Sequence, residues 1–209
     1  ERLLAHGAQA LSDAELVARN VARIERVQQT LRDLRKKWAS IDVHMESANG
    51  DVRLAQPEVA ADASALGRAD VVLFAVKLWD TEKAAEQAKP LVGPDTRVIT
   101  LQNGVDSVER IAPILGADHV VGGIAFIPST ISAPGVISHA GQFAAIHCGR
   151  IDGKPDAMLT AFADAAKSAS VEVKLTDSIN RDRWQKFVFL VALSGMTSAT
   201  RSSIGPILA

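Results

Sequence analysis

Hydrophobic residues recur with a helical period in the first forty positions of the chain. Between Val17 and Trp38 they follow one another at steps of three and four, which places them on one stripe of a helix. Ser12 is a good N-cap residue, and Glu15 completes a capping box. The pattern predicts a helix over residues 13–38 whose other faces are basic. Those faces suit either contact with solvent or a phosphate or nucleic-acid contact.

From Ile41 onward the pattern changes to short strands and then to alternating strands and helices. Residues 41–46 alternate in polarity, and Asn49-Gly50-Asp51 predicts a hairpin turn. Continuous apolar strands that alternate with helices favour a parallel sheet. The elements predicted next are a strand at 70–76, a helix at 80–91 ended by Gly93-Pro94-Asp95, a strand at 97–102 and a helix at 106–114 stopped by Gly116.

The second half of the chain changes character again. Three short strands are predicted at 120–126, 135–139 and 142–148, and the lack of long helices between them favours antiparallel pairing. The last helix, over 179–199, is strongly apolar, so we expect it to be buried and to join two domains. A helix at 155–169 and a strand at 171–175 precede it.

Composition limits the class of protein. Hydrophobic residues make up 47% of the chain and charged residues 22%, as in ordinary soluble globular proteins. The net charge of −1 makes nucleic acid an unlikely partner. The longest apolar run, Phe187 to Leu193, is too short to cross a membrane. The single cysteine, Cys148, is expected to be buried, and with the polar start of the chain it favours a cytoplasmic location.

Polar side chains follow two successive strands of the predicted parallel sheet. Lys77 ends the strand at 70–76, and Asn103 follows the strand at 97–102. Ligands of open α/β sheets bind at the carboxyl ends of the strands. The uncharged amide of Asn103 is therefore well placed to hold a cofactor and a carbonyl substrate.

Lys186 lies inside the apolar final helix. Burial disfavours the charged form of a lysine and lowers its pKa, which suits a proton donor near neutral pH. Leu190, Ser194 and Thr197 lie on the same helical face, which would present an ammonium and two hydroxyls to one cleft. The alternative is a lysine whose stem follows the helix surface to water.

Four segments in series resemble the ketopantoate reductase (2-dehydropantoate 2-reductase) family, from about Ile41 to Ala209. They are Asp70–Thr81 (DVVLFAVKLWDT), Ile99–Asp106 (ITLQNGVD), Val120–Phe126 with Gly135–His139, and Arg183–Gly205. The resemblance implies an NADP(H)-dependent oxidoreductase of pantothenate biosynthesis that reduces a 2-keto acid, ketopantoate or a related compound, to the 2-hydroxy acid.

The same resemblance implies a domain organisation. A basic helical segment, 1–40, would precede a Rossmann-like dinucleotide-binding domain, 41–176. The start of a helical substrate and dimerisation domain would follow over 177–209. The expected fold is α/β, with an incomplete Rossmann-like parallel sheet and added antiparallel strands.

The resemblance also assigns roles to individual residues. Lys186 and Asn103 would be catalytic, with Lys186 protonating the carbonyl oxygen and Asn103 donating a hydrogen bond to the keto acid. Arg201 would bind the substrate carboxylate or lie on the surface. The histidines lack metal-ligand spacing, so no metal is expected. The remaining expected contacts are Lys77, Gln102, Asn103 and Gly104 with the cofactor, and Lys186, Ser194, Thr197 and Arg201 with the substrate.

The chain departs from the family at its front. The family opens with a strand and a GxGxxG turn, and neither is found here. Residues 1–18 instead resemble the N-terminal motif of RadC-type proteins. We therefore expect weak NADPH binding and little turnover. The alternative function is a non-enzymatic module that binds a partner or forms a homodimer through helix 13–38 and an exposed sheet edge.

Overall fold

The computed structural model describes residues 43–55, 57–169 and 171–208. The predicted helix 13–38, the RadC-like segment and the basic helical segment therefore lie outside the described residues. Within the described residues the chain forms a five-stranded sheet, helices that cover it, and a separate four-stranded sheet. The α/β fold class predicted from the sequence is confirmed.

The first three strands of the five-stranded sheet run in one direction, and the last two run in the opposite direction. Its order is β3-β4-β5-β8-β9, in which β3, β4 and β5 are parallel, β5 and β8 are antiparallel, and β8 and β9 are parallel. Among the described residues β3 has a neighbour on one side only. The strands are β3 (Ala69–Phe74), β4 (Val92–Thr100), β5 (Val120–Phe126), β8 (Ala145–Gly149) and β9 (Glu172–Leu175).

Helices cover both faces of this sheet because alternate strand residues point to opposite faces. On β4, Val98 packs in the core that α1 and α2 cover, whereas Ile99 packs in the core that α3 covers. Val120 and Val121 divide in the same way on β5. The covering helices are α1 (Thr81–Ala88), α2 (Ser107–Leu115) and α3 (Ala157–Lys167).

The four-stranded sheet contains the predicted hairpin. Its order is β2-β1-β7-β6, and β1 (Val43–Ser47) pairs antiparallel with β2 (Val52–Leu54). Gly50 closes the turn with a φ of 113°, a conformation that favours glycine. β7 (Val136–His139) pairs parallel with β1 and antiparallel with β6. Of the three predicted short strands, β5 and β8 pair antiparallel with each other, whereas β7 lies in the other sheet. β6 (Ser129–Ala133) was not predicted, because it is exposed along its length and lacks alternation.

The helical residues end at Leu91, before Gly93-Pro94-Asp95, as predicted, but the predicted strand start at 97 is wrong because β4 already begins at Val92. The pairing with β3 skips from Val92 to Arg97, so the intervening residues form an irregularity within the strand. The Thr96 hydroxyl stabilises it by accepting from the Gly93 N–H and donating to the Ala69 carbonyl. A side chain thus replaces the backbone pairing that glycine and proline interrupt.

The long helix α4 (Ile179–Thr200) is followed by the short α5 (Ile204–Leu208). The expectation that this apolar helix is buried is wrong for the described residues, because only Ile179 and Arg183 are buried in it. Trp184 is 55% exposed and Phe189 is 64% exposed. Apolar residues occur all around α4, whereas its sheet contacts are with β5 and β8. The described helices include none that is long and apolar enough to cross a membrane.

Two glycines let α4 approach the sheet. A Cβ at Gly122 would lie 2.9 Å from the Ile179 side chain, and a Cβ at Gly149 would collide with the Thr176 carbonyl just before the helix. We expect Gly149→Ala to lower the free energy of unfolding by about 1–3 kcal/mol, because backbone must move to admit the methyl group. Urea unfolding followed by tryptophan fluorescence measures this change.

The matched control is Gly195→Ala, within α4. A Cβ there meets nothing within 4 Å, and alanine favours a helix over glycine by up to about 1 kcal/mol. This variant should be as stable as the original chain or more stable. Equal stabilities for the two alanine variants would contradict the close approach described for Gly149.

Candidate active site

The predicted site residues follow strands that end at one edge of the sheet. Phe74 pairs with Thr100, and Thr100 pairs with Gly122, so these residues of β3, β4 and β5 lie level. Adjacent strands lie about 4.8 Å apart. Three positions beyond this line come Lys77, Asn103 and Ala125. The carboxyl edge of the parallel strands therefore gathers the segments that carry the candidate chemistry.

The turn after β3 is held by an arginine that sequence reasoning did not single out. Arg110 of α2 donates from Nη2 to the Leu78 carbonyl at 2.8 Å and makes a two-pronged contact with the Glu82 carboxylate at 2.6 and 2.9 Å. The hydrogen bond from Arg110 lowers the pKa of Glu82 to about 2. Lys77, at the start of this turn, is exposed and has an extended backbone. Its ammonium is accessible to an anionic ligand.

Gln102 fixes the same turn from inside the protein. Its side chain is buried, and Nε2 donates to the Val76 carbonyl and the Thr81 hydroxyl, both at 2.9 Å. Thr81 in turn donates to the Leu78 carbonyl. Among the described residues Oε1 of Gln102 has no hydrogen-bond partner. Cofactor binding by Gln102 stays a prediction, and the contacts seen here are those of a scaffold.

An open cleft of about 570 Å³ lies between the strand ends and α4. It brings together three predicted site residues, Asn103, Gly104 and Ser194. Gly104 has a φ of 118°, so glycine suits this position conformationally. The lining residues are Leu78, Asn103, Gly104, Phe187, Leu190, Val191, Ser194 and Gly195.

Lys186 lies beside this cleft, on the same face of α4 as Leu190 and Ser194. Its Nζ donates to the Ala125 carbonyl at 2.7 Å, so the ammonium ends on backbone at the carboxyl end of β5. The side chain is half-buried, and this burial lowers the pKa of Lys186 below its usual value. Lys186 is not among the cleft-lining residues, although its neighbour Phe187 is.

The two remaining substrate candidates are less well placed. The Thr197 hydroxyl donates to the Leu193 carbonyl of its own helix at 2.8 Å. Arg201 ends α4 with a left-handed φ of 52° and is exposed. Neither residue lines the cleft, and substrate contact by both stays a prediction.

A buried arginine joins α4 to Ser107, the first residue of α2. Arg183 is 2% exposed and donates to Asn180 at 3.1 Å and to the Ser107 hydroxyl at 3.4 Å. Ser107 also accepts from the Thr100 hydroxyl at 2.8 Å. Burial lowers the pKa of Arg183, with the Glu109 carboxylate opposing that shift. The signal that singled out Lys186, a cation in an apolar helix, could have found Arg183 three residues earlier.

The described residues suit the nicotinamide end of a dinucleotide better than its pyrophosphate. Asn103 and Gly104 offer an amide and close backbone beside Leu78, which suits a flat nicotinamide ring. The exposed Lys77 suits a phosphate. A glycine-rich turn that would hold the pyrophosphate is missing from the sequence. Cys148 is buried as expected, and burial raises its pKa to about 11, so its thiol is inert.

Known proteins match the chain over most of its length. The family model of ketopantoate reductase PanE/ApbA matches residues 8–153, so the match begins well before Ile41 and within the RadC-like segment. A 2-dehydropantoate 2-reductase of Halobacterium salinarum is 33% identical over 150 residues, which are 72% of this chain and 49% of that protein. An uncharacterized oxidoreductase of Bacillus subtilis, YkpB, is 28% identical over 83% of this chain and 56% of that protein.

Solved structures agree with the sequence comparison. The crystal structure of 2-dehydropantoate 2-reductase from Geobacter metallireducens superimposes with a TM-score of 0.75 at 29% identity, covering 82% of this chain and 56% of that one. The chain thus spans about half the length of the relatives that it matches. The family match covers more than half of this chain and agrees with the motifs at its strand ends. The chain therefore belongs to the ketopantoate reductase PanE/ApbA family.

Proposed function

We propose that the protein reduces a 2-keto acid, ketopantoate or a related compound, to the 2-hydroxy acid with NADPH. The observation that carries this proposal is the position of Lys186. Its ammonium reaches the carboxyl end of β5, Asn103 follows β4 at the same level, and the cleft that Asn103 lines lies beside Lys186. A proton donor and an amide beside one cavity are what reduction of a carbonyl requires.

NADPH, when bound, supplies the hydride that reduces the keto carbon. Lys186 then donates a proton to the carbonyl oxygen, on which negative charge develops. Burial lowers the pKa of Lys186, which makes its ammonium a better acid than that of an exposed lysine. One N–H of its ammonium is engaged with Ala125, which leaves others for the substrate.

The cleft residues orient the substrate. The exposed amide of Asn103 can donate to the keto acid, and Ser194 lines the same cavity. The wall that α4 contributes is otherwise apolar, with Phe187, Leu190 and Val191. This apolar wall offers the keto acid no competing hydrogen-bond partner on its side of the cleft.

Cofactor binding is expected to be weak in this chain. Residues 1–209 contain no GxGxxG sequence, the motif whose backbone amides hold a pyrophosphate at a helix N-terminus. We expect a fluorescence titration with NADPH to give a dissociation constant well above micromolar. Affinity in the micromolar range would contradict the claim that tight NADPH binding needs a glycine-rich turn.

Lys77 is the expected phosphate contact in that titration. Lys77→Met should weaken NADPH binding by about tenfold, because a charge-assisted hydrogen bond is lost. The matched control is Lys89→Met, an exposed lysine at the far end of α1 that pairs with Glu86. Similar affinities for the two variants would remove Lys77 from the site.

The test of the function is product formation. The chain is incubated with NADPH and each of a panel of 2-keto acids, and the 2-hydroxy acids are separated and quantified. We expect slow formation of product above a protein-free blank. A chain that is folded yet gives no product from any keto acid would contradict the proposed function.

A further inference from the structure

Two consecutive residues at the end of β5 hold the ammonium of Lys186. The Ala125 carbonyl accepts a hydrogen bond from Nζ at 2.7 Å, and the ring of Phe126 has its centroid 5.2 Å from the same nitrogen. We call this pair, the Ala125 carbonyl and the Phe126 ring, the ammonium seat. A carbonyl dipole and an aromatic ring both attract a cation without neutralising it. The seat can therefore hold the ammonium in place while it remains charged.

The ring of Phe126 is fixed by its neighbours. His147 of β8 contacts it edge-on, with centroids 5.2 Å apart, and Phe143 lies at 6.4 Å with the two rings inclined by 57°. The antiparallel register puts Phe126 opposite Ala145, the first residue of β8. Aromatic pairs in such tilted or edge-on arrangements are favourable beyond their burial. The ring is thus wedged between β8 and α4.

Two ionisable groups pack around the seat from the elements beside it. His147 projects from β8, and Asp182 lies one turn before Lys186 on α4, with their nearest atoms 3.9 Å apart. The lowered pKa of Lys186 is attributable to burial rather than to either of these groups. Burial, rather than a nearby charge, is therefore the cause of the lowered pKa of Lys186.

We infer that Phe126 is a positioning residue for Lys186, whose ring, with the Ala125 carbonyl, holds the ammonium beside the cleft and sets its affinity for a proton. This inference rests on the proposed function for its catalytic meaning, since Lys186 is the proposed proton donor. The contacts themselves are independent of any substrate. They assign a role to the ring that neither the cleft lining nor the strand-end motifs reveal.

The test measures the pKa of Lys186 directly. The chain is labelled with ¹³C,¹⁵N-lysine, the side-chain resonances are followed against pH, and the Lys186 signal is identified by its loss in Lys186→Arg. Phe126→Leu keeps an apolar side chain but removes the ring face that attracts the cation. We expect the pKa of Lys186 to fall by about 0.5–1 in this variant.

Two further variants separate positioning from general packing. Phe126→Tyr keeps the ring, so the pKa of Lys186 in this variant should equal that in the original chain. Phe143→Leu removes a ring that touches Phe126 but has no recorded contact with Lys186, and it should leave the pKa unchanged. A Leu variant at position 126 without effect, or a Tyr variant that shifts the pKa as much, would overturn the inference.

A measurement on the unaltered chain guards against a variant that fails to fold. The Cε protons of Lys186 should resonate upfield of those of Lys167, an exposed lysine of α3, because they lie near the Phe126 ring. Coincident shifts would overturn the inference. If the shifts and pKa values behave as expected while the chain reduces no keto acid, the seat stands and the proposed function fails.

Discussion

Replacing Lys186 with Met is expected to lower the turnover number for keto acid reduction by about 100-fold or more, with a small effect on KM. Removal of a general acid costs typically 10²–10⁴ in rate, and the loss falls on the chemical step rather than on substrate binding. Met preserves most of the apolar stem, so the packing of α4 against β5 should survive. Initial rates of product formation at several keto acid concentrations give both constants.

The control for this variant is Lys167→Met, the same chemical change on the exposed surface of α3. Lys167 pairs with Asp164 one turn earlier, and its side chain is 75% exposed. Its turnover should equal that of the original chain. If Lys186→Met retains full turnover, then Lys186 does not act as the proton donor.

The largest expected effect on stability belongs to Asp156. Its almost fully buried carboxylate caps α3 by accepting from the backbone of Met158 and Leu159 and pairs with Arg97 at 2.6 Å. Asp156→Ala removes the cap and leaves a partly buried guanidinium without its closest carboxylate. We expect the free energy of unfolding to fall by about 3 kcal/mol or more.

The same carboxylate makes stability depend on pH. Burial tends to raise the pKa of Asp156, but the Arg97 and backbone hydrogen bonds outweigh it and hold the pKa below its usual value. The contribution is therefore fully present above the unfolded-state pKa and is lost as the pH falls through the folded-state pKa. Urea midpoints measured across acidic pH should converge for the original chain and the Ala variant.

Asp164→Ala provides the comparison for Asp156→Ala. Asp164 lies on the same helix, 63% exposed, and pairs with Lys167 on the surface. An exposed pair contributes about 0–1 kcal/mol, so this variant should unfold nearly like the original chain. A loss at Asp156 no larger than the loss at Asp164 would contradict the capping role.

Periodicity and turn chemistry predicted the strand and helix order well where each element obeys its own local pattern. Gly116 ends α2 with a positive φ, and the Asn49-Gly50 turn closes a hairpin, as the sequence indicated. The prediction failed where a distant contact decides the outcome. The Thr96 hydroxyl lets β4 extend through Gly93 by accepting from the Gly93 N–H and donating to the carbonyl of Ala69, which lies in the neighbouring strand.

The candidate site was predictable only in part for the same reason. Lys186 stands out in the sequence because a cation in an apolar helix is unusual, and its ammonium lies at the Ala125 carbonyl near the end of β5. The contact of Lys186 with the Phe126 ring and the hydrogen bond of Arg110 to the Leu78 carbonyl each join residues far apart along the chain. Composition and spacing therefore do not reveal them. The exposure of α4 also depends on tertiary packing, which apolar content alone cannot specify.

Transfer of deuterium tests the account most directly. The chain is incubated with NADPH that carries deuterium at its transferable position and with a 2-keto acid, and the product is analysed by mass spectrometry. We predict a 2-hydroxy acid that carries one deuterium on the former carbonyl carbon, formed by the original chain and nearly absent with Lys186→Met. Product without deuterium, or equal labelled product from both proteins, would contradict the account.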